Sequence, residues 1–203
     1  MKDKLSSLYC KHGRDKSLPR KRRDALLEEI MDSVQVDSEL LSKRIVFLFE
    51  DIDEDNSREL VKKIVALDLR KKAPIKLYIN SVGGYVSCGF AITDAIKYAR
   101  SKVITTITGE ACSMAAYISV HGHERLMTSN SFWMSHDMST YIDGPFKVVE
   151  DRAKYLKKLK DMFFNTLKMK TKLTPKEIRA AIAGELWLDA EECLSKGVVE
   201  KVI

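Results

Sequence analysis

Gly109-Glu-Ala-Cys-Ser113-Met-Ala-Ala-Tyr117 sits where an apolar run gives way to small residues, and that change decides the fold. Before it, Val103-Ile-Thr-Thr-Ile-Thr108 is rich in the β-branched residues that suit a pleated surface, which predicts a strand. After it, Met114 to Val120 is small and apolar enough for a buried helix. Ser113 therefore falls at the turn from strand into helix. There the free N–H groups of the first turn and the positive end of the dipole favour negative charge. A serine so placed can be a nucleophile, because those groups can hold the oxyanion it generates. It can equally be a plain N-cap, the ordinary role of a lone serine in such a turn.

Two further stretches keep it company. Leu77-Tyr-Ile-Asn-Ser-Val-Gly83-Gly84 is a short apolar strand running into a glycine pair, which permits positive φ and close backbone approach to a ligand. Phe132-Trp-Met-Ser-His136 is another apolar run, closed by a histidine. Singly, these are a tight turn and a structural histidine. Gathered at the carboxyl ends of neighbouring strands, they are what an α/β hydrolytic site uses.

In order and approximate spacing, Tyr78 to Gly84, Gly109 to Ala116 and Asn130 to His136 resemble the ClpP family, the proteolytic subunits of the Clp proteases. The family forms read roughly INSPGG, GxAASMGA and PNSxxMIHQP, and the resemblance runs from about Leu41 to Ile203. It implies an α/β fold of the ClpP/crotonase-like class: a spiral of β-α-β units with a protruding handle strand and a long handle helix. It implies Ser113 as nucleophile, His136 as base, and the N–H groups of Gly84 and Met114 as oxyanion hole. Substrate would lie as an added strand beside Val82–Val86 and Met138–Tyr141, contacting Gly83, Tyr85, Val86, Met138 and Tyr141, with the two tyrosines lining side-chain pockets.

The third triad member is where this chain departs. The family places an Asp two residues before an aromatic-Leu pair; here Trp187-Leu188 is that pair and Glu185 holds the position. Glu can orient the histidine, since Ser-His-Glu triads occur, although its extra methylene demands a shifted backbone. Asp189, Asp137 and Asp143 are rivals, and Asp189 already has work as an N-cap. An ordinary surface acid is the plain alternative for Glu185.

The 203 residues are 45% hydrophobic and 32% charged, and suffice for one buried core. No apolar run approaches the ~20 residues of a membrane span. The first residues, Met1-Lys-Asp-Lys-Leu-Ser-Ser-Leu8, lack a secretory apolar core. Cys10, Cys88, Cys112 and Cys193 are widely spaced, without zinc or disulfide framework spacing, and fit a reducing cytoplasm. His121-Gly-His123 reads as a loop. Residues 1–24 hold nine Lys/Arg against three Asp, a surplus of six that equals the net charge of +6 of the whole chain. This basic arm, residues 1–40 with a short helix over Asp24–Met31, is read as a solvated terminus. Without interleaved aromatics it is not a nucleic-acid surface, and the resemblance leaves open a propeptide or an axial loop.

Beyond it, residues 41–203 form the protease-like domain. Strands are expected over Arg44–Phe49, Lys76–Asn80 and 103–108, with helices capped by Asn56 or Ser57, over Val86–Tyr98, and from Ser113 to Val120. A long helix, Phe146–Met169, carries an apolar stripe of Tyr155, Leu156, Leu159, Met162, Phe163 and Leu167. In the resembled family this helix interlocks stacked heptameric rings, so a homo-oligomer is implied. Thr174-Pro-Lys-Glu177 and Asp189-Ala-Glu-Glu192 are helix starts, and Val198–Ile203 a final strand.

The function expected is a serine endopeptidase acting on unfolded or small polypeptides. No cofactor, metal or nucleotide is needed, because the chain has no phosphate-binding GxxxxGK[ST] pattern; a separate AAA+ unfoldase is the implied partner. Three other readings stay open: a catalytically silent scaffold subunit, a phage-type protease acting on a capsid precursor, and a crotonase-like acyl-CoA enzyme.

Overall fold

The computed structural model describes residues 20–203. Residues 1–19, which hold the first part of the basic arm and Cys10, lie outside the described residues. The described residues fall into two compact units, the first ending at Ile45 and the second spanning Val46–Ile203. In the first, helix α1 spans Arg20–Ser42, far longer than the short helix expected over Asp24–Met31. No Pro or Gly interrupts Arg20–Ser42, so nothing local stops the helix sooner.

The second unit alternates strand and helix: β1 Ile45–Leu48, α2 Glu54–Arg70, β2 Ile75–Ser81, α3 Val86–Tyr98, β3 Val103–Cys112, α4 Met114–Ser119, β4 Glu124–Met127 and β5 Phe132–His136. The order continues with α5 Phe146–Lys170, α6 Pro175–Ala183, β6 Glu185–Leu188, α7 Ala190–Ser195 and β7 Lys201–Val202. The N-cap of α2 is Asp53, not Asn56 or Ser57; its carboxylate accepts from Asn56 N at 2.7 Å. Asn56 lies inside the helix and bonds back to the same carboxylate. Asp53, Asp55, Asn56 and Ser57 are all cap-forming residue types within five positions, so the sequence alone does not single out the cap. β4 was not anticipated: Glu-Arg-Leu-Met lacks the β-branched signature, and pairing with β3 and β7 makes it a strand. The expected last strand is shorter: Lys201–Val202 is in register with β4, flanked by bonds from Glu200 N to Arg125 O and Ile203 N to Met127 O, and Val198 and Val199 are buried in the turn before it.

β1-β2-β3-β4-β7 form the path of one seven-stranded sheet, with β5 pairing β3 and β6 pairing β5. β2/β3, β3/β4, β3/β5 and β4/β7 are parallel; β5/β6 is antiparallel. β3 thus splits its neighbours, pairing β4 with its first half and β5 with Glu110–Cys112. The core fills behind it with Ile75, Leu77, Ile79, Ile92, Ile96, Ile107 and Trp133, all buried. Each such side chain contributes about 1.5–3 kcal/mol of transfer free energy. Trp133 also donates Nε1–H to Ala116 O at 3.3 Å, locking α4 onto β5 beside the site.

Asp68 ties α2 to the turn before β3. Its carboxylate accepts from Ser101 N at 2.7 Å and from Arg100 Nε at 3.3 Å. Burial raises its pKa, but the bonds from Ser101 and Arg100 outweigh this and hold it at about 2.

Candidate active site

Ser113 occupies the one position between the end of β3 and the start of α4, with φ 55° and ψ −120°. Only Arg44 shares a positive φ among the described non-glycine residues. Such a backbone costs about 1–3 kcal/mol and persists only where surroundings enforce it. Here Ser113 N donates to Met134 O at 2.8 Å, and Tyr117 N donates to Ser113 O at 3.2 Å. The side chain makes no capping hydrogen bond. Ser113 thus stands at the N-cap position without acting as a cap, so the plain N-cap alternative does not describe it. A sharp strand-to-helix turn of this kind can present a side chain at the end of a sheet.

The glycine pair is pressed against this turn. A Cβ on Gly83, whose φ is +103°, would lie 2.8 Å from Ser113 Cβ and from Cys112 O, and 2.9 Å from Met114 N. A Cβ on Gly84, at φ +148°, would lie 2.4 Å from Ile52 O. Ile52 N donates to Gly83 O and Tyr85 N to Ile52 O, so the strand-end loop is pinned from the far side. Only glycine brings backbone this close to both neighbours. Among the described residues, the N–H groups of Gly84 and Met114 donate to no protein acceptor.

His136 ends β5, whose partner β3 ends at Cys112; Cys112 faces Met134 in register. Across β5/β6, His136 stands directly opposite Glu185, Met134 opposite Trp187. Directly opposed residues share a sheet face, with Cβ atoms about 4.5–5.5 Å apart. Glu185 is exposed, and its carboxylate accepts from Trp187 Nε1 at 2.9 Å. The three rival aspartates are occupied elsewhere. Asp189 caps α7, accepting from Glu192 N at 2.8 Å. Asp137 binds Lys160 Nζ at 2.7 Å and Met138 N at 2.8 Å, and Asp143 lies 3.9 Å from Arg152.

Ser113 and His136 line a single cavity of about 190 Å³ together with Gly84, Met114, Val86, Met138 and Ser139. Its remaining wall is Tyr117, Trp133, Ser135, Asp137, Lys160, Phe163, Leu167 and Ile182. Tyr117 and Phe163 pack ring to ring at 4.4 Å, and the Tyr117 hydroxyl shares a hydrogen bond with Thr166 at 3.0 Å. Tyr85 and Tyr141, expected to line side-chain pockets, are exposed and lie outside this wall. The aromatic lining comes from Tyr117 and Phe163 instead. The Tyr117 signal lay in the strand–helix stretch itself, and that of Phe163 in the apolar stripe of α5, but neither identifies which face meets the cavity.

Cys112, next to Ser113, is buried and held as a thiol. Burial, with its hydrogen bond to Glu110 and the charges of Glu110 and Glu185, pushes its thiol up to about 12. His121 Nδ1 bonds to Tyr117 O at 2.7 Å and His123 Nδ1 accepts from Val103 N at 3.1 Å, so both histidines secure the loop after α4. Among the described residues no group of His, Cys, Asp and Glu could hold a metal, and no helix is long and apolar enough to cross a membrane.

Comparison with known proteins places these features in a family. Residues 28–203 match the family model described as Clp protease. The chain is 33% identical over 199 residues to ATP-dependent Clp protease proteolytic subunit 1 of Protochlamydia amoebophila, covering 95% of this chain and 92% of that one. It is 30% identical over 165 residues to ATP-dependent Clp protease proteolytic subunit 2 of Pseudomonas aeruginosa, covering 80% of this chain and 82% of that protein.

Proposed function

The chain belongs to the Clp protease family, a family of peptidases, and on that premise we propose that it cleaves peptide bonds by acyl transfer through Ser113. One observation carries the reading: Ser113 is held at φ 55° in the β3–α4 turn, its side chain released from capping, in a cavity shared with His136.

Ser113 Oγ attacks the scissile carbonyl while His136 takes its proton. The N–H groups of Gly84 and Met114 hold the oxyanion; one such donor is worth about 10²–10³ in rate. Collapse of the tetrahedral species breaks the C–N bond, and His136 returns the proton to the leaving amine. Water then repeats the sequence on the acyl-enzyme. Glu185, opposite His136, orients the imidazole and stabilises its charged form. Substrate adds as a strand beside Val82–Val86 and Met138–Tyr141, touching Gly83, Tyr85, Val86, Met138 and Tyr141. The substrates are unfolded or small polypeptides, cut inside stacked homo-oligomeric rings in the cytoplasm, with unfolding supplied by a separate AAA+ partner.

The test is single-turnover labelling with a fluorophosphonate, wild type beside Ser113→Ala, His136→Ala and Glu185→Ala. Labelling of wild type and not of the Ser and His variants is expected. A wild type that never labels overturns the reading. The hydrogen bond from Trp187 to Glu185 favours one second reading, a catalytically silent scaffold subunit whose third carboxylate is committed elsewhere. That reading expects no labelling at all.

A further inference from the structure

The active-site cavity does not end at its apolar wall. Asp137, Lys160 and Ile182 line it, and the same three residues line a second, more open pocket of about 530 Å³ that continues to Asp161, Phe164 and Arg179. Asp137 follows His136 directly in the chain, whereas Lys160 reaches over from α5. Both Asp137 oxygens are engaged, Oδ2 by Lys160 Nζ at 2.7 Å and Oδ1 by Met138 N at 2.8 Å. The two side chains are only about half exposed, at 44% and 41%.

As a stabilising contact a half-exposed pair of this kind is worth little. Its position is what matters. Beside the pair the wall is aromatic and apolar, with Tyr117, Phe163 and Leu167, while its neutral polar groups are Ser135 and Ser139. A charge pair on the wall that two cavities share faces a long side chain that enters either one. Joined at 2.7 Å, the two charges cancel at the wall the two pockets share; either one alone would select for its opposite.

We propose that the Asp137–Lys160 ion pair is the specificity-determining partition of the substrate side-chain pocket, making the wall it shares with the second pocket electrically neutral. The proposal rests on the acyl-transfer reading for what enters the cavity. Neutral, moderately sized side chains are favoured on the acyl side, and acidic or basic ones are refused because neither partner is free to pair with them. Removing one partner leaves the other as an unpaired charge facing the pocket, while Asp161 and Arg179 beyond it are unchanged.

The experiment uses the assembled full chain and near-isosteric variants, Lys160→Met and Asp137→Asn. Binding of fluorescein-labelled product peptides, Ala-Ala-Ala followed by Leu, Lys or Glu, is read by anisotropy and needs no turnover. Fluorophosphonate labelling is run on the same preparations. Wild type is expected to bind the Leu peptide most tightly. Lys160→Met should raise the ratio of Lys-peptide to Glu-peptide affinity about tenfold, and Asp137→Asn should lower it by a similar factor. A purely structural pair would weaken all three peptides together in both variants, and that result overturns the proposal. So does a ratio that moves the same way in both variants, or less than about threefold in either. Opposite shifts without labelling of wild type sustain the partition and overturn the acyl-transfer reading; labelling without opposite shifts does the reverse.

Discussion

Replacing Gly83 by alanine tests whether the glycine pair exists to let backbone touch the Ser113 turn. The new Cβ meets Cys112 O and Ser113 Cβ at 2.8 Å and Met114 N at 2.9 Å, well inside ordinary van der Waals contact. None of the three is the loose end of a flexible side chain, and all belong to residues 112–114. Relief therefore requires moving the Ser113 turn by several tenths of an ångström, or the loop that carries Gly84. The φ of +103° adds backbone strain. Strain and overpacking together cost about 2–4 kcal/mol, or a fall in Tm of roughly 10 °C. The effect on function should be larger than stability alone predicts, since misplacing a catalytic group by about 1 Å can cost 10²-fold. Fluorophosphonate labelling of folded Gly83→Ala is expected to slow about 10–100-fold at a temperature where circular dichroism shows it native. Gly144→Ala is the comparison: its φ is +119°, yet its Cβ would meet only Val148 Cγ1, at 3.9 Å. It should lose stability without slowing labelling. Gly83→Ala labelling at the wild-type rate would refute the argument.

Glu185→Gln, which keeps the side-chain length and removes the charge, should slow labelling about 10²–10⁴-fold. Asp189→Ala should instead leave labelling intact and cost stability through its lost N-cap, by about 1 kcal/mol. Asp68→Asn should destabilise by about 2 kcal/mol, read by urea denaturation at pH 7, because the carboxyl held at about 2 has an ordinary value near 3.8. The sign follows from a depressed folded pKa: that stability is present above pH 4 and lost as pH falls toward 2, so an acid titration should be flatter in the variant. Burial lowers the pKa of His121 despite its bond to Tyr117 O. The unfolded chain then binds the proton first, so stability falls as pH drops below about 6.5, and His121→Gln should lack that segment of the pH profile.

Several features were legible because they are local. The strand at 103–108, the α3 bounds Val86–Tyr98 and the capping box at Thr174 were read from periodicity and caps within a few residues. The cap at Asp53 was missed in a crowded acidic turn, and β4 because its residues become a strand only by pairing. Tyr85 and Tyr141 were chosen for lying near the expected substrate path, but their exposed side chains leave the lining to Tyr117 and Phe163.

By itself the sequence determined that strands and helices alternate, that Ser113 stands at a strand-to-helix turn, and where most helices start. Steric and hydrogen-bonding preferences of near neighbours are enough for that. Only the tertiary structure decided that Ser113 abandons capping for a strained φ, that His136 opposes Glu185, and that Asp137 meets Lys160 across 23 positions of chain. Each depends on strand register or on the rotation of α5 against the sheet, which are settled by packing between segments distant in sequence.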